Sequence, residues 1–281
     1  MAANAAPLSS LQHLSSYHAA TLAPLTVNSS LGQIHIGGLP FHLKGVTWRG
    51  TEGALMAPDG LRFHTVDHYL AFLQAHGFNA LRLPFDHDRV LKNSILQDSG
   101  ALEHAPELIG LPYTHVLREV AKTAARRGIL VVLACERLTA GASPGQPGSG
   151  MWYNGEVSEE LTLRSWTRLA HVACEQWNVI GVDLLHEPYR ASWGLGDPNT
   201  DWNLAAERIG NRVLELCPRW LVFVQGVGQE PGAGPEQDVA GGVFWGENLA
   251  GARKHPVRLV DPSRLVYAPV TFGPSTFAFN V

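Results

Sequence analysis

The chain has 281 residues, 45% of them hydrophobic and 16% charged, with a formal net charge of −4. That is enough for one large α/β domain or two small ones, and the near balance of charge excludes a polycation built for nucleic acid or an anionic membrane. No stretch approaches the roughly 20 apolar residues of a membrane span, and three cysteines are too few and too scattered for a disulfide framework or a zinc site.

Cys135, Cys174 and Cys217 therefore read as three buried thiols. The 13 histidines include no pair with metal spacing on one face, so neither metal nor cofactor is indicated. Residues 1–23, rich in Ala, Ser and His, read as a poorly ordered segment, with one domain over 24–281. The first 25 residues carry no Lys or Arg and no apolar core, so they do not read as a secretory signal. Taken as the whole amino terminus, they place the chain in the cytoplasm.

Leu25–Val27 and Ile34–Ile36 flank a polar turn and read as a short hairpin. Strand and helix patterns then alternate. The first strand is His42–Trp48, followed by a helix at Thr65–His76. The second strand, Asn79–Leu83, is stopped by Pro84 and followed by a helix at Tyr113–Arg127, which Gly128 caps. The third is Ile129–Leu133, followed by a helix from Ser158 to Trp177. The fourth, Ile180–Leu185, runs into His186, Glu187 and Pro188. Pro188 cannot continue a ladder, so Glu187 stands at a carboxyl-terminal strand end, where α/β barrels build active sites. A helix at Trp202–Cys217, a strand at Trp220–Gln225, a short helix near Glu247–Ala252 and a strand at Arg264–Ala268 complete the pattern. Alternation implies a parallel sheet. Six strands are counted where a closed (β/α)₈ barrel needs eight. The open edges of the first and sixth would invite self-association, and the hairpin would plug the barrel bottom.

Seven blocks carry a resemblance that runs from about Leu25 to Phe277: Leu43–Trp48, Gly77–Phe85, Met151–Tyr153, Val182–Pro188, Asp201–Asn211, Phe244–Leu249 and Leu265–Pro269. Together they resemble family 5 of the glycoside hydrolases, the cellulase-like enzymes. The resemblance implies an α/β fold of (β/α)₈ TIM-barrel type, incomplete here with about six of eight strands. It implies hydrolysis of O-glycosidic bonds in a β-glucan or related oligosaccharide, no cofactor, and a family that is usually secreted. It maps Glu187 onto the catalytic acid/base and Arg82 onto the arginine that positions the nucleophile, a second Glu on the seventh strand. Retention requires the two carboxyls about 5–5.5 Å apart. Tyr267 falls in the family's Tyr-Ser-Pro-His block. Trp48, Trp152, Trp193 and Trp245 are candidates for stacking on sugar rings.

The departures from the family pattern gather at the catalytic face. His186 replaces the Asn that bonds the sugar 2-hydroxyl. Glu136 stands where a His is usual, Gln225 where a Glu is usual, and Val270 replaces the His of the Tyr-Ser-Pro-His block. The nucleophile strand is expected beyond Val281. The expectation is therefore a hydrolase fold without turnover, with Glu136 as the one candidate substitute nucleophile, since neighbouring carboxylates at strand ends would raise one pKa. The alternatives are a non-catalytic carbohydrate-binding protein and a truncated fragment.

Overall fold

The computed structural model describes residues 25–97, 100–141, 150–228 and 244–271. The poorly ordered reading of residues 1–23 lies outside these. Two sheets organise the rest: a three-stranded antiparallel sheet, and a six-stranded parallel sheet in sequence order.

The small sheet comprises β1 (Val27–Ser30), β2 (Gln33–Ile36) and β3 (Leu39–Phe41). Leu31 and Gly32, with φ of 52° and 75°, make the two-residue turn between β1 and β2. Such turns need φ above zero at both positions because only that twist matches the flanking strands. The sequence pattern shows a hairpin but not β3, which folds back through the Gly37-Gly38 turn. Leu25, Val27, Ile36 and Phe41 pack against Ala80, Leu130, Ile180 and Leu221 at the amino-terminal end of the parallel strands. The small sheet thus closes the bottom of the large one.

The large sheet runs β4 (Gly45–Thr47), β5 (Ala80–Asp86), β6 (Leu130–Arg137), β7 (Val179–Asp183), β8 (Leu221–Val224) and β9 (Leu265–Tyr267), each paired in parallel with the next. It is an open sheet of the parallel-strand, helix-covered kind expected of an incomplete barrel. Its outer face is covered by α1 (Val66–Ala75), the short α2 (His87–Lys92), α3 (Tyr113–Arg126), α4 (Glu159–Ala173) and α5 (Trp202–Leu216). Leu81, Leu83, Val131, Leu133, Val182 and Val222 face this layer and meet Val116, Leu117, Leu169 and Ile209 in one continuous core. Thr65 caps α1 by accepting from the His68 N–H at 3.0 Å, and Ser158 caps α4 through Leu161 N–H at 3.3 Å. At the end of α3, Gly128 has φ of 69°. Its N–H bonds the Ala125 carbonyl and that of Ile129 bonds Ala124, a Schellman motif.

Two expectations are corrected. Pro84 does not stop its strand; β5 runs on to Asp86. Arg82 still bonds β4, its carbonyl accepting from Trp48 N–H at 3.1 Å. Two residues on, at Pro84, β4 has ended, so the missing N–H faces no partner strand. The Pro84 carbonyl accepts the Thr51 hydroxyl instead. Secondly, the three cysteines are not three thiols. Cys174 and Cys217 form a disulfide with Cα atoms 5.8 Å apart, and only Cys135 is free and buried. They follow the last turns of neighbouring helices α4 and α5, a proximity that 43 residues of separation conceal.

Candidate active site

Side chains alternate across a strand, and this alternation builds the site. On β5, Ala80 and Arg82 face inward. On β6, Leu130, Val132 and then Glu136 do so. On β8, Leu221 and Phe223 are followed inward by Gln225. Asp183 ends β7 on the same face.

Arg82 is the hub. Its Nε donates to Asp183 Oδ2 at 3.0 Å and its Nη1 to Glu136 Oε2 at 3.0 Å. The other Glu136 oxygen accepts from Arg49 Nη1 at 2.7 Å. Gln225 Nε2 donates to Asp183 Oδ2 at 2.8 Å. Burial works to lower the Arg82 pKa, but Asp183 and Glu136 hold it above the usual value. For Glu136, burial works upward, while His186 when protonated, Arg82 and Arg49 hold the carboxyl below the ordinary range. Asp183 shifts the other way. Its burial outweighs Arg82 and Gln225, so its pKa is raised.

Glu187 follows β7 with φ of 51°, left-handed and without the licence of glycine. Such a conformation costs about 1–3 kcal/mol and persists only where the surroundings enforce it. Here the Glu187 N–H donates to Gln225 Oε1 at 2.9 Å, and its carbonyl accepts from Tyr189 N–H at 2.7 Å. Burial, then the Glu136 charge, raises the Glu187 carboxyl to about 7. His186 Nε2 stands 3.7 Å from an oxygen of Glu136 and 3.7 Å from one of Glu187. Burial lowers that imidazole to about 4, so it is neutral at ordinary pH. A carboxyl that keeps its proton to near neutrality, at a strand end, is equipped for general acid catalysis.

Arg82, Glu136, His186 and Glu187 therefore converge with Gln225, already marked at its strand end, and with Asp183 and Arg49, which the sequence pattern does not single out. Period two along β8 would have placed Gln225 inward after Phe223. Asp183 was legible as a lone carboxylate inside an apolar run. The aromatic candidates divide. Trp245 lies at the rim, stacked on Tyr189 with ring centroids 4.1 Å apart, beside Gly246, whose added Cβ would lie 3.3 Å from Glu187 Cα. Trp152 and Trp193 are not sugar platforms: they are 1% and 2% exposed, with indole N–H groups bonded to Glu159 and to the His255 carbonyl. Trp48 packs edge-on against Tyr69 of α1 and bonds the Asp59 carbonyl. Tyr267 faces outward because Val266 and Ala268 take the inward positions of β9. Its hydroxyl accepts the Val257 N–H at 2.9 Å.

A cavity of about 390 Å³ opens inside the sheet, lined by Thr47, Arg49, Arg82, Asp183, His186 and Gln225 above and by Val132, Phe223 and Ala268 below. Among the described residues no group of three or more His, Cys, Asp or Glu side chains could hold a metal ion, and no helix is long and apolar enough to cross a membrane.

Fold and cluster together define a parallel barrel-type α/β protein with carboxylates at its carboxyl-terminal strand ends. Residues 40–280 match the profile of the cellulase family, glycosyl hydrolase family 5, and the chain belongs to that family. It is 34% identical over 232 residues to an endoglucanase of Paenibacillus polymyxa, covering 82% of this chain and 55% of the relative. It is 32% identical over 254 residues to the major extracellular endoglucanase of Xanthomonas campestris, covering 90% and 50%. The chain thus spans about half the length of these curated relatives. A solved endocellulase of Pyrococcus horikoshii, in complex with cellotetraose, superposes with a TM-score of 0.80 at 31% identity, over 91% of this chain and 71% of that one.

Proposed function

We propose that the cluster is the site of an endoglucanase-type glycoside hydrolase acting on β-glucan, with Glu187 as its acid/base. The observation that carries this reading is Glu187 itself: a strand-end carboxyl, strained into place, and held protonated to about pH 7 by burial and Glu136. Its relatives' names point to the same substrate class, and the Pyrococcus complex to cello-oligosaccharides as ligands. Arg82 and Asp183 line the cavity inside the sheet, and Trp245 offers a ring stacked on Tyr189. The Cys174–Cys217 disulfide suits a protein that works in oxidising surroundings.

A second reading is favoured by Glu136. It is the carboxylate whose charge acts on Glu187, yet both its oxygens are committed to guanidinium groups. A carboxylate held in this way is a poor nucleophile. On that reading the cluster binds glucan, and Glu136 does not supply the covalent step that retention requires. A hydrolysis assay on soluble β-glucan, run with Glu187→Gln, separates the two. Turnover abolished by Glu187→Gln supports the enzyme. Glucan binding without turnover, weakened by Trp245→Ala, supports the second reading. Neither turnover nor binding would sink both.

A further inference from the structure

Glu187 is the one site residue held against its own backbone preference, and the structure shows which group holds it. Its N–H has a side-chain acceptor, Gln225 Oε1, at 2.9 Å. The other end of that amide donates to Asp183 Oδ2 at 2.8 Å. Asp183 is in turn bonded to Arg82, and Arg82 to Glu136. A third contact closes the arrangement. At Gly246 a Cβ would come within 3.0 Å of Gln225 Oε1 and 3.3 Å of Glu187 Cα. Gly246 itself has φ of 80°, so the chain there crosses tightly against both residues.

We infer that Gln225 is a positioning residue for Glu187, a brace that ties the strained peptide of the acid/base to the buried Asp183–Arg82–Glu136 network. The chemistry of the side chain matters. The brace must accept at one end and donate at the other, and a primary amide does both at once. An ionised carboxylate accepts only, and would face the Asp183 carboxylate with like charge. A protonated carboxyl regains one donor and one acceptor. Gln225→Glu is therefore a pH-dependent substitute, while Gln225→Leu is none at any pH. The functional meaning of the brace rests on the reading of Glu187 as the acid/base; the brace itself does not.

The test is NMR of the full chain labelled in Glu carboxyl carbons and backbone amides, with the Glu187 signals assigned by Glu187→Gln. In Gln225→Leu, the Glu187 amide proton should move upfield for want of its acceptor. The carboxyl midpoint should shift by about one pH unit or more from its parent value, as Glu187 leaves its place beside Glu136. In Gln225→Glu, the Glu187 amide should match the parent at low pH and depart from it reversibly as the introduced carboxyl ionises. A parent-like Glu187 amide and midpoint in both variants, across the pH range, overturns the brace. Should Gln225→Leu fail to fold, the Gln225→Glu titration decides alone: a reversible amide shift beyond the one Glu187's own titration gives in the parent supports the brace, and an amide that tracks the parent at every pH overturns it. A separate arm assays β-glucan hydrolysis and binding by Glu187→Gln. Parent-like behaviour there removes the acid/base reading, while the NMR outcome still decides for or against the brace.

Discussion

Removing the Arg82 guanidinium should cost this fold a large part of its stability, and the cost should depend on pH. In Arg82→Met the chain keeps a side chain of similar length but leaves two buried carboxylates short of a partner. The Glu136 and Asp183 side chains are only 2% and 7% exposed. Stripping one partner from a buried ion pair costs about 3–5 kcal/mol. Glu136 retains Arg49 and Asp183 retains Gln225, so each loses part of its compensation, and the pair together falls in that range. Stabilities of whole domains are only about 5–15 kcal/mol. The sign with pH follows from proton binding. Loss of Arg82 removes a cause that lowers both carboxyls, so both folded pKa values rise relative to the parent's. The folded variant then binds more protons than the folded parent, so its stability relative to the parent falls as pH rises through that window. Urea unfolding followed by tryptophan fluorescence, at about pH 5 and about pH 8, should show a deficit relative to the parent that is larger at the higher pH. A loss below about 1 kcal/mol, the worth of an exposed pair, or a loss equal at both values, would refute the argument.

Reduction of Cys174–Cys217, or Cys174→Ala with Cys217→Ala, should lower stability by about 4 kcal/mol from the entropy of a loop of this length, read as a fall in the calorimetric midpoint; the separation is 43 residues. Asp86 is wholly buried, with neither oxygen hydrogen-bonded and Arg89 Nε at 3.5 Å, and burial raises its pKa to about 7. Its folded pKa is raised, so it should cost stability as pH climbs from about 4 to about 8, by about 4 kcal/mol at most. Asp86→Asn should therefore be more stable than the parent at the upper end of that range and not at the lower, by denaturant titration. His87, lowered to about 3 by burial, gives a slope of the opposite sign that both proteins share. Glu136→Gln should lower the titration midpoint of Glu187 from about 7, because it removes the nearby anion and leaves Arg49 and Arg82 facing it. An unchanged midpoint by carboxyl NMR would leave burial as the whole cause.

Much of the architecture was legible because its signals are local. Thr65 and Ser158 are helix caps three residues ahead of the amides they satisfy, and Gly128 ends α3 through its own φ. The six parallel strands followed from apolar runs broken by polar turns. What failed was what depends on neighbours distant in sequence. Pro84 looks like a strand breaker until one knows that β4 has already left its side. Cys174 and Cys217 look unrelated until α4 and α5 lie side by side. The Trp residues could not be sorted by position. Trp152 and Trp193 stand in loops after their strands, as Trp245 does, but their rings are buried and their indole nitrogens bond Glu159 and the His255 carbonyl. Tyr267 is legible from period two, which through Val266 and Ala268 sends it outward.

The site's own electrostatics explain how a half-buried carboxyl keeps its proton at Glu187. Burial alone would raise the carboxyl, but burial is incomplete at a rim position, and Arg49 and Arg82 pull the other way. The opposing charge comes from Glu136, which stays ionised because the same two arginines grip its oxygens. The arginines thus act on Glu187 in two senses, lowering its pKa directly and raising it through the anion they stabilise. His186 could have cancelled that anion. Lying 3.7 Å from both carboxylates, a protonated imidazole would neutralise Glu136 and favour ionised Glu187. Its burial holds the imidazole neutral down to about pH 4, so across the working range it separates the carboxyls without screening them. Burial of His186 therefore leaves the Glu136 charge free to act on Glu187, and a solvated, protonated imidazole in the same place would lower the Glu187 pKa.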